Sequence, residues 1–426
     1  MFKNQNEKLQ LIQPGTILIG LDAAKRSHWA QSIHYNGILI GKAFNIKNNR
    51  EGLESLLVKI ELIKQQTGCR RVIVGIESTG HYWKALAWFL MQNGIAVVLV
   101  NPHHVKKSKE LDDNAPSKSD PKDAKIIAGL VKDGRFMEVY IPQGVYGELR
   151  MLSNLHAQLT AKLHSVKCII TAILDEYFPE FETVFKSFYG KTALYILGHC
   201  PFPEELKCLG IDGITAEIKK AVKRGVGRKR AESLYQVACD TIGLPTNDSA
   251  KLKLWLYLDE FNNLTGQIET VEQKMKKQLT ETGISEYILS IKGIGIVIAA
   301  GILGEIGDPS RFANWKQIRK LAGFNLVEDS SGERKGKHKI SKRGRSLLRS
   351  YLYQAAVIMG GKNPEFKKLY WYLITRKENP LKKKQALVAL SIKLIRIMKT
   401  LINRKEKYDP SKVLGPIREI QLQEAA

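Results

Sequence analysis

The sequence predicts an α/β domain first, then long helices, then a mostly α-helical C-terminal domain. Three observations carry this expectation. Short β-branched runs alternate with helical spacing through the first third, two stretches of sustained helical periodicity occupy the middle, and a Gly-rich apolar segment leads into amphipathic helices near the end. The divisions follow as 1–145, 146–283 and 284–426.

Residues 16–21 (TILIGL) read as a buried strand, and 29–34 and 37–44 alternate as two more, a meander with Asp22 at the end of its first strand. Helical spacing over 52–67 precedes a second buried strand at 71–76 (RVIVGI), with Glu77 directly after it. A helix over 81–93 and a strand at 96–100 (AVVLV) complete a parallel portion, and functional residues gather at the carboxyl ends of such strands. Residues 101–119, polar and basic, read as a loop, and 120–132 as a helix.

Apolar spacing with charged flanks over 148–174 and 250–280 predicts two long helices that pair as an antiparallel coiled coil or an oligomerisation arm. Residues 183–244 between them are less regular. The segment 284–307 opens the third unit, followed by a helix over 315–322, a Gly- and Lys-rich loop over 330–344, and helices over 345–360, 365–377 and 384–404. The tail after Asp409 reads as flexible.

Lys and Arg outnumber Asp and Glu by 67 to 42, a net charge of +25, which favours a polyanionic partner, nucleic acid before membrane. No uncharged apolar run approaches the ~18 residues of a membrane span, and the Met1 end lacks a signal-peptide pattern, so a cytoplasmic protein is expected. The five cysteines form no CxxC pair and read as reduced thiols.

Against this basic background stand four acids. Asp22 and Glu77 end strands, while Asp120 and Asp123, three apart, share one helical face. Phosphodiester cleavage needs divalent cations to neutralise charge, and Mg²⁺ prefers carboxylates with waters and phosphate oxygens, so the four could hold two ions. Capping and the helix macrodipole alone would also favour Asp120 and Asp123.

A second constellation is Ser330, Ser331 and Gly332 with the following ERKGKHKISKRGR, where seven of thirteen residues are Lys or Arg. A small turn in a basic stretch sets a hydroxyl where a phosphate would be held. Arg334, Lys335, Lys339, Lys342 and Arg343 are its candidate phosphate contacts. Gly293 and Gly295, and again Gly225 and Gly227, have the spacing of helix-hairpin-helix turns, which bind phosphates through backbone N–H groups. Tyr351, Tyr353, Tyr370, Trp371 and Tyr372 fall at helical spacing and read as core.

The phrases GLDAAKRSHW, GIESTGHYW, NPHHVKK and KSDPKDAKIIA resemble the N-terminal half of the DEDD transposases of insertion sequences, whose fold is RuvC-like (RNase H-like). SIKGIGIVIAAGILGEIGDPSRFANWKQIRKLAGF, SSG and ISKRGRSLLRSYLYQAA are similar to the C-terminal domain of the same family. The resemblance implies that Asp22, Glu77, Asp120 and Asp123 bind Mg²⁺, with Lys25 and His28 beside them. It implies that the Ser of the Ser-Gly pair, Ser331 with Ser330 adjacent, takes the DNA end covalently. It further implies donor and target DNA and a structured bridge RNA as partners, and a homo-oligomer, dimer or tetramer, in which the composite site forms between subunits. Where family members commonly carry proline shortly before the serine, this chain has Asn325 and Leu326. Two other readings fit the same residues: a RuvC-like nuclease or Holliday junction resolvase using metal-activated water, and a non-enzymatic nucleic-acid binder.

Overall fold

In a computed structural model, residues 5–112, 120–222, 227–328 and 339–415 are described. The chain forms two compact units, Met1–Pro142 and Gln143–Ala426.

The first unit begins with the helical turn α1 (Gln5–Leu9) and the strands β1 (Thr16–Ala23), β2 (Ser27–His34) and β3 (Leu39–Lys47). Then come α2 (Arg50–Thr67), β4 (Arg71–Glu77), α3 (Tyr82–Gln92), β5 (Ala96–Val100), α4 (Pro102–Asp112), α5 (Asp120–Lys132) and β6 (Phe136–Glu138). They build one mixed sheet in the order β3-β2-β1-β4-β5-β6, in which β1, β4 and β5 run parallel while β2, β3 and β6 run antiparallel to their neighbours. This mixed α/β arrangement is consistent with an RNase H-like domain.

Alternation along β1 and β4 sorts the side chains onto the two faces. Ile17, Ile19 and Leu21, with Val74 and Ile76, join the core that also holds Leu56 and Ile60 of α2 and Leu86 and Leu90 of α3. Leu18 and Ile73 belong to the opposite core, with Val105 of α4 and Ile126, Ile127 and Val131 of α5. Continuing by twos, Gly20 and Asp22 on β1, and Gly75 and Glu77 on β4, share that second face.

The segment 101–119, expected to be a loop, contains α4. The Asn101 side chain accepts from the His103 N–H at 2.9 Å, Pro102 begins the helix and Val105 is buried on the sheet. Polar composition concealed this helix, whose apolar anchor among the described side chains is Val105.

The second unit opens with α6 (Gly144–Tyr177), then α7 (Phe181–Val184), α8 (Lys191–His199), α9 (Pro203–Ala221), α10 (Gly227–Cys239) and α11 (Asp248–Glu281). Helices α6 and α11 lie antiparallel: His156 meets Glu272 at 3.0 Å, and at the other end the Leu244 N–H donates to the Glu176 carbonyl. The irregular stretch between them is largely helical, in short pieces with a kink at Gly210, where φ is 62°. Its aromatic packing includes Tyr189 stacked on Phe261 at 5.2 Å.

The remainder comprises α12 (Ser285–Leu289), α13 (Ile296–Ile306), α14 (Trp315–Leu321), the two-residue strands β7 (Leu326–Val327) and β8 (Lys339–Ile340), α15 (Ser346–Lys362), α16 (Pro364–Thr375), α17 (Lys383–Arg404) and α18 (Ser411–Leu414). One core runs from the long helices into these. Tyr351 is buried and its hydroxyl donates to the Ser153 carbonyl at 3.2 Å, whereas Trp371 is 54% exposed. The tail expected to be flexible carries α18, pinned by buried Val413.

Candidate active site

Asp22 and Glu77 come together because of register. Leu21 pairs with Ile76 across the parallel strands β1 and β4, so the next residue on each strand is a carboxylate, on the same face and about 4.8 Å apart across the sheet. α5 delivers the other two acids. It approaches closely because the strand residues beneath it lack side chains: a Cβ on Gly20 would lie 2.0 Å from the Ala124 carbonyl oxygen, and one on Gly75 2.3 Å from a Val131 methyl. The helix therefore starts beside the strand ends, with Asp120 and Asp123 in its first turn, where the macrodipole favours negative charge.

The other three acids act on Asp22. The Asp22 carboxyl is pushed up to about 6, first by burial and then by the charges of Glu77, Asp123 and Asp120, with Lys109 opposing. Asp123 is 4% exposed and its Oδ1 is buried without a partner. Its Oδ2 accepts from Lys109 Nζ of α4 at 2.5 Å. Glu77 accepts from the Thr79 hydroxyl at 2.6 Å.

Among the described residues, no three His, Cys, Asp or Glu side chains stand close enough to hold one ion as placed. Asp123 is paired instead with Lys109. The donor chemistry nevertheless fits a hard divalent cation: all-oxygen side chains, one oxygen buried and unsatisfied, and an Asp22 raised by burial and then by the neighbouring negative charges.

His28 sits at the first β1–β2 pair, opposite Ala23, and is fully buried. Its Nδ1 accepts from the Ala24 N–H at 3.3 Å, and burial holds its pKa below the usual value, with the Asn48 side chain opposing. Its partner Ala23 is one residue on from Asp22, so His28 falls on the opposite face of the sheet from that carboxylate. Lys25 is exposed in the adjoining turn.

In the second unit, Ser330, Ser331, Arg334 and Lys335 lie outside the described residues, as does Gly225. Their flanks are described. Leu326 pairs with Ile340 and Val327 with Lys339, an antiparallel stem bracketing 329–338. Beyond it the Lys342 N–H donates to Gly323 O at 3.1 Å and Arg349 Nη1 to the Ala322 carbonyl at 3.0 Å, which ties the stem to α14 and α15. Lys339, Lys342 and Arg343 are exposed, and Lys342 holds φ 53°.

Gly293 adopts φ 102°, a conformation that favours glycine, in the turn between α12 and α13, and a Cβ there would meet Met359 at 3.3 Å. Gly295 is the N-cap of α13, with no side-chain cap. Gly227 is buried at the start of α10. The five cysteines are free, and burial pushes the Cys200 thiol up to about 12.

Sequence reasoning missed Lys109, Gly20 and Gly75. The glycines had a signal: GLD and GIE repeat a Gly-x-acid step at the ends of two apolar runs.

Residues 19–179 match a DEDD IS110 family model described as a transposase, and residues 285–371 match one described as the transposase IS116/IS110/IS902 family. Together they span more than half of the chain. The chain is 23% identical over 399 residues to a 44.8 kDa protein of insertion element IS116 from Streptomyces clavuligerus, covering 93% of this chain and 96% of that one. It is 29% identical over 202 residues to the transposase for insertion sequence element IS1111A of Coxiella burnetii, covering 46% and 54% respectively.

Proposed function

This chain belongs to the IS116/IS110 family of insertion-sequence transposases, which break and rejoin DNA, and from that premise we propose how it does so. In our reading Asp22, Glu77, Asp120 and Asp123 form a divalent-metal site, Ser331 is the nucleophile, and a guide RNA pairing with donor and target DNA selects the sites. The observation that carries the metal site is the convergence of four acids from two strand ends and one helix start, where burial first and then the other three charges push Asp22 up to about 6.

The serine hydroxyl attacks phosphorus, the bond to the 3′ oxygen breaks, and the serine proton ends on that oxygen as a free 3′ hydroxyl. The resulting phosphoserine conserves the phosphodiester bond, so rejoining by the reverse attack needs no ATP. Held by Asp22, Glu77, Asp120 and Asp123, a divalent cation, Mg²⁺ in our reading, would neutralise charge on the phosphate oxygens. The chain's own contribution is to position carboxylates at the ends of two central strands and the start of a helix, and to offer basic side chains, Lys339, Lys342 and Arg343 among them, to the phosphate backbone. The exposed N-cap at Gly295 offers backbone N–H groups of its own to phosphate.

The test is to incubate the protein with its flanking element DNA, digest the bound nucleic acid and examine the peptide around Ser331 by mass spectrometry. A nucleotide on Ser331 that disappears in Asp22→Asn is the expected result. DNA cleaved without an adduct would instead assign hydrolysis by metal-activated water, and an adduct on Ser330 would move the nucleophile by one residue.

A further inference from the structure

We propose that Lys109 is the resident counter-ion of the carboxylate site, a positioning residue that holds Asp123 until a divalent cation displaces it. The inference rests on reading the four acids as metal ligands. Its basis is geometric. The Lys109 ammonium lies 2.5 Å from Asp123 Oδ2, with the lysine side chain 24% exposed and the aspartate 5%. Asp123 is the most buried of the four acids, and its other oxygen has no partner. A buried carboxylate with one free oxygen requires a positive charge, and Lys109 is the cation the structure brings to it.

Helix α4 is built to bring it there. Asn101 caps the helix, Val105 anchors it on the sheet, and Lys109 follows one turn after Val105 on the same side. The lysine reaches its partner from a flexible, partly exposed stem. It can therefore swing away when an ion takes both Asp123 oxygens, and its released charge then lies beside the bound phosphodiester. Ammonium and divalent cation thus compete for one carboxylate.

Calorimetric titration of the full-length protein with Mn²⁺ tests this, using wild type, Lys109→Met, Lys109→Arg and Asp22→Asn, with melting in EDTA alongside. The expected result is Mn²⁺ binding about tenfold tighter in Lys109→Met, the order of effect from removing one competing charge at hydrogen-bond distance. Lys109→Arg should stay within about threefold of wild type. In EDTA, Lys109→Met should melt lower than wild type and recover with Mn²⁺, which a lysine that merely docks α4 would not show. Mn²⁺ affinity that is equal or weaker in Lys109→Met overturns the proposal and leaves the metal-site reading standing. Absence of any Mn²⁺ binding sensitive to Asp22→Asn overturns both. Should Lys109→Met fail to fold, the methionine is replaced by Gln and the same affinity difference is read.

Discussion

Asp22 carries the clearest residue-scale consequence. Its folded-state pKa, about 6 against an ordinary 3.8, means that the native protein binds more protons than the unfolded chain between those values. Stability conferred by this group is therefore present at low pH and is lost as pH rises through the window from about 4 to 6. After allowance for partial solvent exposure, the ionised site costs about 2 kcal/mol. In EDTA, Asp22→Asn should accordingly be more stable than wild type at pH 7 by about that amount, with the difference shrinking toward pH 4. Paired thermal melts across the range would check it; a difference independent of pH would show that the charge of Asp22 is not what strains the site. The four acids were legible in the sequence because each ends a strand or starts a helix. Lys109 was not, since one lysine in a basic stretch is indistinguishable from its neighbours until a helix gives it a direction.

At the scale of elements, the site depends on how closely α5 rests on β1 and β4. Gly20→Val would drive a side chain into the Ala124 carbonyl, a backbone atom that no rotamer change can clear. The expected cost is about 3 kcal/mol, with α5 lifted and metal affinity falling as Asp120 and Asp123 withdraw from the strand ends. Melting and Mn²⁺ titration of the same variant separate the two effects, and unchanged metal binding would detach α5 placement from the site. The strands of the meander and the long helices were readable because apolar runs and sustained periodicity announce them over many residues. β6, three residues long, and α4, in which Val105 is the one buried apolar side chain among those described, fall below what periodicity detects. The kinked helices between α6 and α11 escaped for a related reason: the bend at Gly210 interrupts the repeat that would mark a continuous helix. In the second unit, the Gly-x-Gly turn before α13 was legible as a turn. That Gly293 also packs against Met359 required a partner helix more than sixty residues away.

For the whole molecule, the charge of +25 sets the behaviour toward nucleic acid. Affinity for double-stranded DNA should fall by about 10³ or more between 50 and 200 mM salt if six or more phosphates are neutralised, and filter binding across that range would measure the slope. A shallow slope would mean that most of the lysines and arginines face solvent. The first unit, with a core on each face of its sheet, is expected to melt cooperatively when residues 1–142 are expressed alone. The pairing of Leu21 with Ile76 has one further consequence. A slip of β1 against β4 by a single residue would swing Asp22 into the aliphatic layer and bring Leu21 out to the strand edge, an error costing several kcal/mol. The register that sets the two carboxylates side by side is thus also the one that keeps them out of the aliphatic layer, so a misaligned sheet carries its own penalty.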